Sequence, residues 1–337
     1  MYKKLFLLFT TILLACFTSC EKDPWDDVSD GGWNHERTIL GVLFEGQAGV
    51  ADIENTDATT GIISLKISPD LVTDMSKVHI QNLSLSYEAT SSVEKGETID
   101  FSGSSVPTIT ITSKMGETRT YTLKMTAFEE SVVGTYAIND LYVYGGTGPM
   151  YGGAYAARVL DKSWLWTTGT TGPSAECDNY LVFTLTKIKD DGNTTGDCYN
   201  YGGETANWWD CTLVASQNKA KTGDLNLDKF YRKIPKGHST WVHDYTAGTI
   251  TFTGDNGVTS SGTLIDSGTY TMYSNGSTTK TITIPNQAFQ FTVDGVDDWG
   301  TIYSDYNIFV SSPHKYFVFV KKMDNSFVLP DSYKTVP

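Results

Sequence analysis

Trp208 and Trp209 stand side by side between Asn207 and Asp210, in a glycine-rich neighbourhood. Trp164 and Trp166 lie two apart, a spacing that puts both on one face of a strand. Trp241 falls between His238 and His243, and Trp299 is followed by Tyr303 and Tyr306 in an Asp-rich segment. A saccharide ring offers an apolar C–H face and a rim of hydroxyls. An exposed aromatic plane flanked by Asn, Asp or His can stack on the first and hydrogen-bond the second. The candidate glycan-binding residues are therefore Trp208, Trp209, Trp164, Trp166, Trp241, Trp299 and Tyr303. The competing assignment for each is the core, since β folds bury tryptophan without any ligand. Trp208 and Trp209 escape it best, because strand neighbours face opposite ways and a loop position would expose at least one.

Other chemistry is thinly represented. The sequence has no Gly-x-Ser-x-Gly elbow, no His-Glu-x-x-His helix, no Walker loop and no Rossmann glycine pattern. Glycoside hydrolysis needs only two carboxylates at the right separation. After residue 131, however, the only glutamates are Glu176 and Glu204, and many aspartates sit beside Gly or Asn, where turns account for them. No catalytic residue is assigned. His238 and His243, five apart, face opposite sides of a strand, so a shared metal is not expected. Asp294, Asp297 and Asp298 are a candidate for structural Ca²⁺, but they lack the EF-hand order, and a solvated acidic turn is the favoured assignment. No other cofactor is implied. Cys177, Cys198 and Cys211 are odd in number, so a Cys198–Cys211 bridge and free buried thiols both stay open.

The N-terminus predicts export. Lys3 and Lys4 precede an apolar run from Leu5 to Phe17 that is too short to span a bilayer, and residues 1–19 read as a signal peptide. Phe17-Thr18-Ser19-Cys20 resembles a lipobox, with Cys20 as the lipidated residue; Leu14-Ala15-Cys16 also fits the generic motif, but polar sequence begins only after Cys20. Cys20-Glu21-Lys22-Asp23 resembles the surface-export signal of Bacteroidetes lipoproteins. The expected location is the outer membrane, facing outward, with membrane contact only through the lipid. Loss of Lys3 and Lys4 takes the formal charge from −14 to −16. So acidic a chain has no electrostatic footprint for nucleic acid and disfavours a broadly polyanionic ligand, although a local basic patch remains compatible with it.

The elements that must position the aromatics are strands. Residues 20–36 are acidic and aperiodic, a tether after the lipidated Cys20. Residues 37–129 alternate with period two, at Ile63, Leu65 and Ile67, then Leu83, Leu85 and Tyr87, then Ile109 and Ile111, then Tyr121, Leu123 and Met125. That pattern fits an antiparallel sandwich of immunoglobulin-like size. Residues 131–337 change composition, with sixteen tyrosines and six tryptophans against two tyrosines and no tryptophan in the preceding segment. Strand signals recur at residues 141–144, 180–188, 249–252, 281–284, 289–293, 306–310 and 316–321, and residues 224–231 suit one short helix. The fold class is all-β: an Ig-like β-sandwich followed by a larger sandwich, jelly roll or barrel.

The order Leu-Phe-Glu-Gly-Gln (43–47), Asp-Phe-Ser (100–102), Pro-Thr-Ile-Thr-Ile-Thr-Ser (107–113) and Gly-Glu-Thr-Arg-Thr-Tyr-Thr-Leu (116–123) resembles the Ig-like repeats near the N-termini of Bacteroidetes surface lipoproteins. Such repeats act as spacers. The layout as a whole resembles surface glycan-binding proteins of starch-utilisation-like systems. That resemblance implies non-catalytic capture of polysaccharide or oligosaccharide, with an outer-membrane transporter complex as partner. It transfers no ligand residue. The rival classes are an extracellular glycoside hydrolase, which needs converging carboxylates, and a structural or adhesive fimbrial-type protein, which offers an edge strand or groove.

Overall fold

A computed structural model describes residues 33–168, 171–189, 191–220 and 222–337. Cys20 and the signal peptide lie outside the described residues. The chain divides into two compact units between Phe128 and Glu129. Among the described residues no helix is long and apolar enough to cross a membrane.

The first unit is a two-sheet sandwich. One sheet orders β1 (Ile39–Phe44), β4 (Val78–Leu85) and β6 (Thr98–Ile99). The other orders β2 (Asp52–Glu54), β3 (Thr60–Ile67), β8 (Thr118–Ala127), β7 (Thr108–Thr112) and β5 (Thr90–Ser91). Most alternating residues do what the pattern dictates: Ile63, Leu65, Ile67, Ile109, Ile111, Tyr121 and Leu123 are buried together between the sheets, Leu83, Leu85 and Met125 pack partly buried against them, and Tyr87, beyond the end of β4, is exposed. The sandwich is not wholly antiparallel, because β3 and β8 run parallel, Thr60 opposite Thr120 through Ile67 opposite Ala127. The long crossover that parallel pairing requires is the excursion through β4 to β7. Packing also begins earlier than a tether to residue 36 implies. Asn34 is buried and its amide donates to the Tyr87 carbonyl at 2.5 Å.

The second unit is a closed antiparallel barrel of eight strands in chain order. They are β9 (Gly134–Gly145), β11 (Tyr180–Ile188), β12 (Thr194–Tyr201), β15 (Gly237–Asp244), β16 (Thr249–Gly254), β17 (Thr259–Ile265), β20 (Gln287–Thr292) and β21 (Pro313–Lys322), which returns to pair with β9. Closure leaves no open edge in the eight-strand ring. β10 (Tyr155–Arg158) adds to β9, the pair β13 (Thr212–Leu213) and β14 (Leu225–Asn226) lies between β12 and β15, and a hairpin of β18 (Gly268–Ser274) and β19 (Thr279–Ile284) lies between β17 and β20.

Eight strands enclose a lumen just wide enough for side chains to fill, and here they fill it. Phe183 is the hub, with ring centroids 5.6 Å from Tyr136, 6.1 Å from Trp241, 5.9 Å from Phe252 and 5.7 Å from Phe289. Trp241 reaches across β12 because residue 196 is glycine; a Cβ there would lie 2.9 Å from the indole nitrogen. That nitrogen donates to the Thr184 and Asp197 carbonyls at 3.2 and 3.1 Å.

Two local expectations fail. The helix covers only Asp228–Tyr231, because Leu225 and Asn226 pair as a strand with Leu213 and Thr212. Residues 306–310, expected as a strand, are helical instead: Tyr306 caps a π-helical turn spanning Asn307–Ser311, in which the buried Asn307 amide donates to the Asp298 carbonyl and Thr301 Oγ1. Their apolar run Ile308, Phe309 and Val310 still packs inward.

Candidate functional site

Strand alternation puts the long connections, 146–179, 202–236 and 293–312, at one end of the barrel together with the short turn 255–258. The opposite end carries the turns 189–193 and 245–248 and the base of the β18–β19 hairpin. The candidate tryptophans all belong to the loop end or the lumen, and the structure sorts them sharply.

Four of the six are core. Trp166, Trp209 and Trp241 have no exposed surface and Trp208 has 8%. They therefore offer no free ring face to a sugar, which corrects their assignment as glycan-binding residues. Trp166 meets Trp209 edge-on with centroids 4.8 Å apart and also packs on Tyr231 and Phe309. Trp209 stacks on Tyr231 at 5.2 Å. The alternation argument for Trp208 and Trp209 fails because the 202–236 connection folds inward and buries both neighbours. The Trp208 indole N–H donates to the carbonyl and side-chain oxygens of Asn200. Glu176 is the acid of this cap. It accepts from Arg232 Nη1 on both oxygens at 2.9 and 3.0 Å and from the Trp209 N–H at 3.1 Å. Burial disfavours the Arg232 charge, but Glu176 more than restores it and raises the guanidinium above its ordinary value. One of the two late glutamates is thus structural, and the other, Glu204, is exposed.

Trp164 and Trp299 remain in solvent, 52% and 64% exposed. Trp299 lies within the 293–312 connection, and Trp164 lines a cleft with Ser304, Asp305 and Tyr306 of the same connection. Around Trp299 the neighbouring 146–154 connection turns tightly at Pro149–Tyr151, bracketed by Gly148 at φ 71° and Gly152 at φ 81°, left-handed positions that favour glycine. The turn holds Met150 and Tyr151 outward, the latter 82% exposed. A Cβ on Gly148 would sit 3.6 Å from an atom of the Trp299 ring and 3.6 Å from one of the Tyr151 ring, so both rings come up to this glycine. Beside them runs a cleft of about 410 Å³ lined by Met150, Tyr151, Val296, Asp297 and His314. Asp297 Oδ1 accepts from the Gly148 N–H at 2.9 Å and lies 4.0 Å from His314 Nε2. Tyr303, almost wholly exposed, is held at φ 68°, an unfavourable backbone for a bulky residue.

The loops are fixed by a buried polar knot. Asn307 accepts from the Thr147 N–H at 2.9 Å, and its amide donates to Thr147 Oγ1 and the Asp298 carbonyl, each at 2.9 Å. Ser312 donates to the Val296 carbonyl at 2.7 Å. Asp298 accepts from Thr301 Oγ1, the Gly300 N–H and Ser311 Oγ at 2.6, 2.9 and 3.1 Å, and these donors hold its carboxyl below the ordinary range. Asp297 and Asp298 thus serve the loop. Among the described residues no group of three or more His, Cys, Asp or Glu is placed to hold a metal.

Across the same connection a second cleft, of about 620 Å³, is lined by Trp164, Gln217, Asn218, Lys219, Asp305 and Tyr306. Lys162 Nζ lies 4.9 Å from the centre of the Trp164 ring and pairs with Asp305 at 3.0 Å. Lys219 Nζ sits 5.0 Å from the Tyr306 ring centre. Each ring is stiffened on one face by an ammonium group. Tyr151 and Tyr306 complete the two clefts. Tyr306 was legible beside Trp299, whereas Tyr151 carried only a weak signal, its place in the Gly-rich run 145–153.

Cys177, Cys198 and Cys211 are all free thiols, so no Cys198–Cys211 bridge forms. Burial pushes Cys177 up to about 12 and the other two higher still. His238 and His243 take separate partners. His238 bridges Asp255 and Asp197 at 2.7 and 3.1 Å, and His243 Nδ1 lies 2.9 Å from Glu130.

No known family matches the chain, and no curated protein does. A search of solved structures finds a "putative glycoside hydrolase" from Bacteroides thetaiotaomicron, at 11% identity and TM-score 0.23, covering 87% of this chain and 98% of that one. It also finds a Bacteroides ovatus protein of unknown function, at 12% identity and TM-score 0.15, covering 74% of this chain and 73% of that one. Likeness at this level defines neither fold nor function.

Proposed function

We propose that the protein captures polysaccharide or oligosaccharide, without cleaving it, on the aromatic surface at the loop end of its barrel. One observation carries this reading. The barrel buries four of its six tryptophans, and of the two left in water Trp299 belongs to the 293–312 connection and Trp164 lines a cleft with residues of it, each beside a further aromatic and hydrogen-bonding groups. Large aromatic rings left exposed beside clefts mark an interaction site. Rings fixed by a buried polar knot lose little freedom on binding, which favours affinity. Each cleft is lined by one carboxylate, Asp297 or Asp305, and Asp305 is already paired with Lys162. Hydrolysis calls for two carboxyl groups flanking the scissile bond. In this reading Cys20 carries the lipid anchor at the outer membrane, the first unit is a spacer, and a transporter complex receives the captured chain. Weak single-site affinity suits an array on a surface, where multivalency multiplies it.

The test is residues 21–337 probed against plant, host and microbial polysaccharides, with released reducing sugar assayed in parallel. Retention without sugar release is expected. Sugar release would replace capture with hydrolysis, and silence across the panel from folded protein would remove the glycan reading.

A further inference from the structure

The chain carries 39 acidic side chains against 25 Lys and Arg. One cleft at the loop end reverses that balance. It has a volume of about 510 Å³ and lies between the 228–236 segment and the β16–β17 turn, with Lys229, Arg232, Lys233, Lys236 and His238 along its lining. Arg232 is committed to Glu176. The three lysines are not committed to any acid. Among the described residues none has a carboxylate within ion-pairing distance; Lys229 Nζ rests 4.5 Å from the Phe230 ring centre instead. Lys233 is half-buried, and burial lowers its ammonium below the ordinary lysine value, with the more distant Asp294 opposing that only in part. The acidic side chains of the lining are otherwise engaged, and Pro337, which also lines the cleft, makes no ion pair with these lysines among the described residues. Asp255 lies 2.7 Å from His238 Nδ1, and Asp228 accepts from the Asn226 amide at 3.0 Å. Like charges gathered in one concavity repel one another unless an anion joins them.

The rest of the lining suits a saccharide. Pro235 and Val258 supply apolar wall, while Asn256 and Ser260 supply polar edges. We infer that this cleft receives the carboxylate of an acidic saccharide, a hexuronate within an oligosaccharide chain. This deepens the glycan-capture reading and rests on it. The carboxylate would meet lysine ammonium groups in charge-assisted hydrogen bonds, which are stronger than neutral ones. The cleft opens at the same barrel end as the exposed tryptophans.

Calorimetric titration of residues 21–337 with trigalacturonate, its methyl ester and citrate tests the assignment. Trigalacturonate is expected to bind, the uncharged ester about tenfold or more weakly, and citrate not to compete at equal concentration. Lys229→Gln/Lys236→Gln removes two exposed charges without touching the core, and Lys233→Gln removes the half-buried one. Each should weaken trigalacturonate about tenfold and flatten the salt dependence. Equal binding of acid and ester, full competition by citrate, or indifference to the lysine variants would overturn the inference. Neutral glycans retained through Trp164 and Trp299 while trigalacturonate fails would defeat it alone. No saccharide of any kind bound would defeat the capture reading with it.

Discussion

The two ends of the barrel differ in what they leave in water. At the short-turn end a carboxylate is locked inside. Glu130 is buried and accepts hydrogen bonds from Thr194 Oγ1, from His243 Nδ1 at 2.9 Å, from Tyr245 Oη at 2.5 Å and from the Val132 N–H at 3.1 Å. Donors fill its capacity, so this carboxylate has nothing left to offer a ligand, although a cleft of about 300 Å³ lies beside it, lined by Val132, His243 and Asp266. At the loop end Asn307, Thr147 and Asp298 bond to one another and to loop backbone, while the Trp164 and Trp299 rings are left facing water. Both ends bury an engaged carboxylate, Glu130 at one and Glu176 with Arg232 at the other, but only the loop end also sets two tryptophan rings, Trp164 and Trp299, in solvent.

The largest effect should come from the aromatics that fill the lumen and its cap. Trp241→Ala or Trp166→Ala removes a fully buried indole and should cost about 3–5 kcal/mol, read as a fall in the midpoint of urea unfolding. Any loss of binding would then track loss of fold. Next is the buried pair beneath the cap. Arg232→Met strands the Glu176 carboxylate and should cost about 3–5 kcal/mol by the same measurement, with partial rescue in Arg232→Met/Glu176→Gln. A Glu176 that proved dispensable would break the assignment of this acid to structure.

The short-turn end makes a prediction in pH. Burial alone would raise the Glu130 carboxyl, but hydrogen bonds from His243, Thr194, Tyr245 and the Val132 N–H outweigh it and hold the value at about 2, against an ordinary 4.5. A depressed folded value means the ionised carboxylate stabilises fully above about pH 4.5, and the contribution drains away as pH falls towards 2. The loss should be on the order of 3 kcal/mol. Thermal unfolding across that window should show it in the native chain and a flatter profile in Glu130→Gln. Identical profiles would remove the lock.

The smallest stability effect belongs to the loop end. Trp164→Ala and Trp299→Ala should each shift unfolding by no more than about 0.5 kcal/mol, since neither ring is core. A shift of several kcal/mol would mean that these rings hold the loops rather than wait for a ligand.

Much of the fold was legible because period-two alternation registers directly as burial. Ile63, Leu65, Ile67, Ile109 and Ile111 are core as read, and residues 180–188 and 249–252 fall in strands. Barrel closure was one of three architectures left open, because the β9–β21 pairing joins residues far apart in sequence with no local signal. The candidate site was harder. Spacing says which residues share a strand face, but Trp164 and Trp166 occupy a 3-10 turn and its exit, where positions two apart diverge, one into solvent and the other into the cap. Trp208 and Trp209 are covered by a connection whose inward fold depends on Glu176 and Arg232, residues distant in the chain. The local basic patch, compatible with an acidic chain, takes shape only once the β16–β17 turn sets a wall against residues 228–236.

The central claim is that the exposed aromatics, and not the buried ones, meet the glycan. Calorimetric titration of the polysaccharide best retained by the native chain, into Trp164→Ala/Trp299→Ala, tests it most directly. Affinity should fall about tenfold or more with the unfolding midpoint unchanged. Native affinity in that double variant would contradict it.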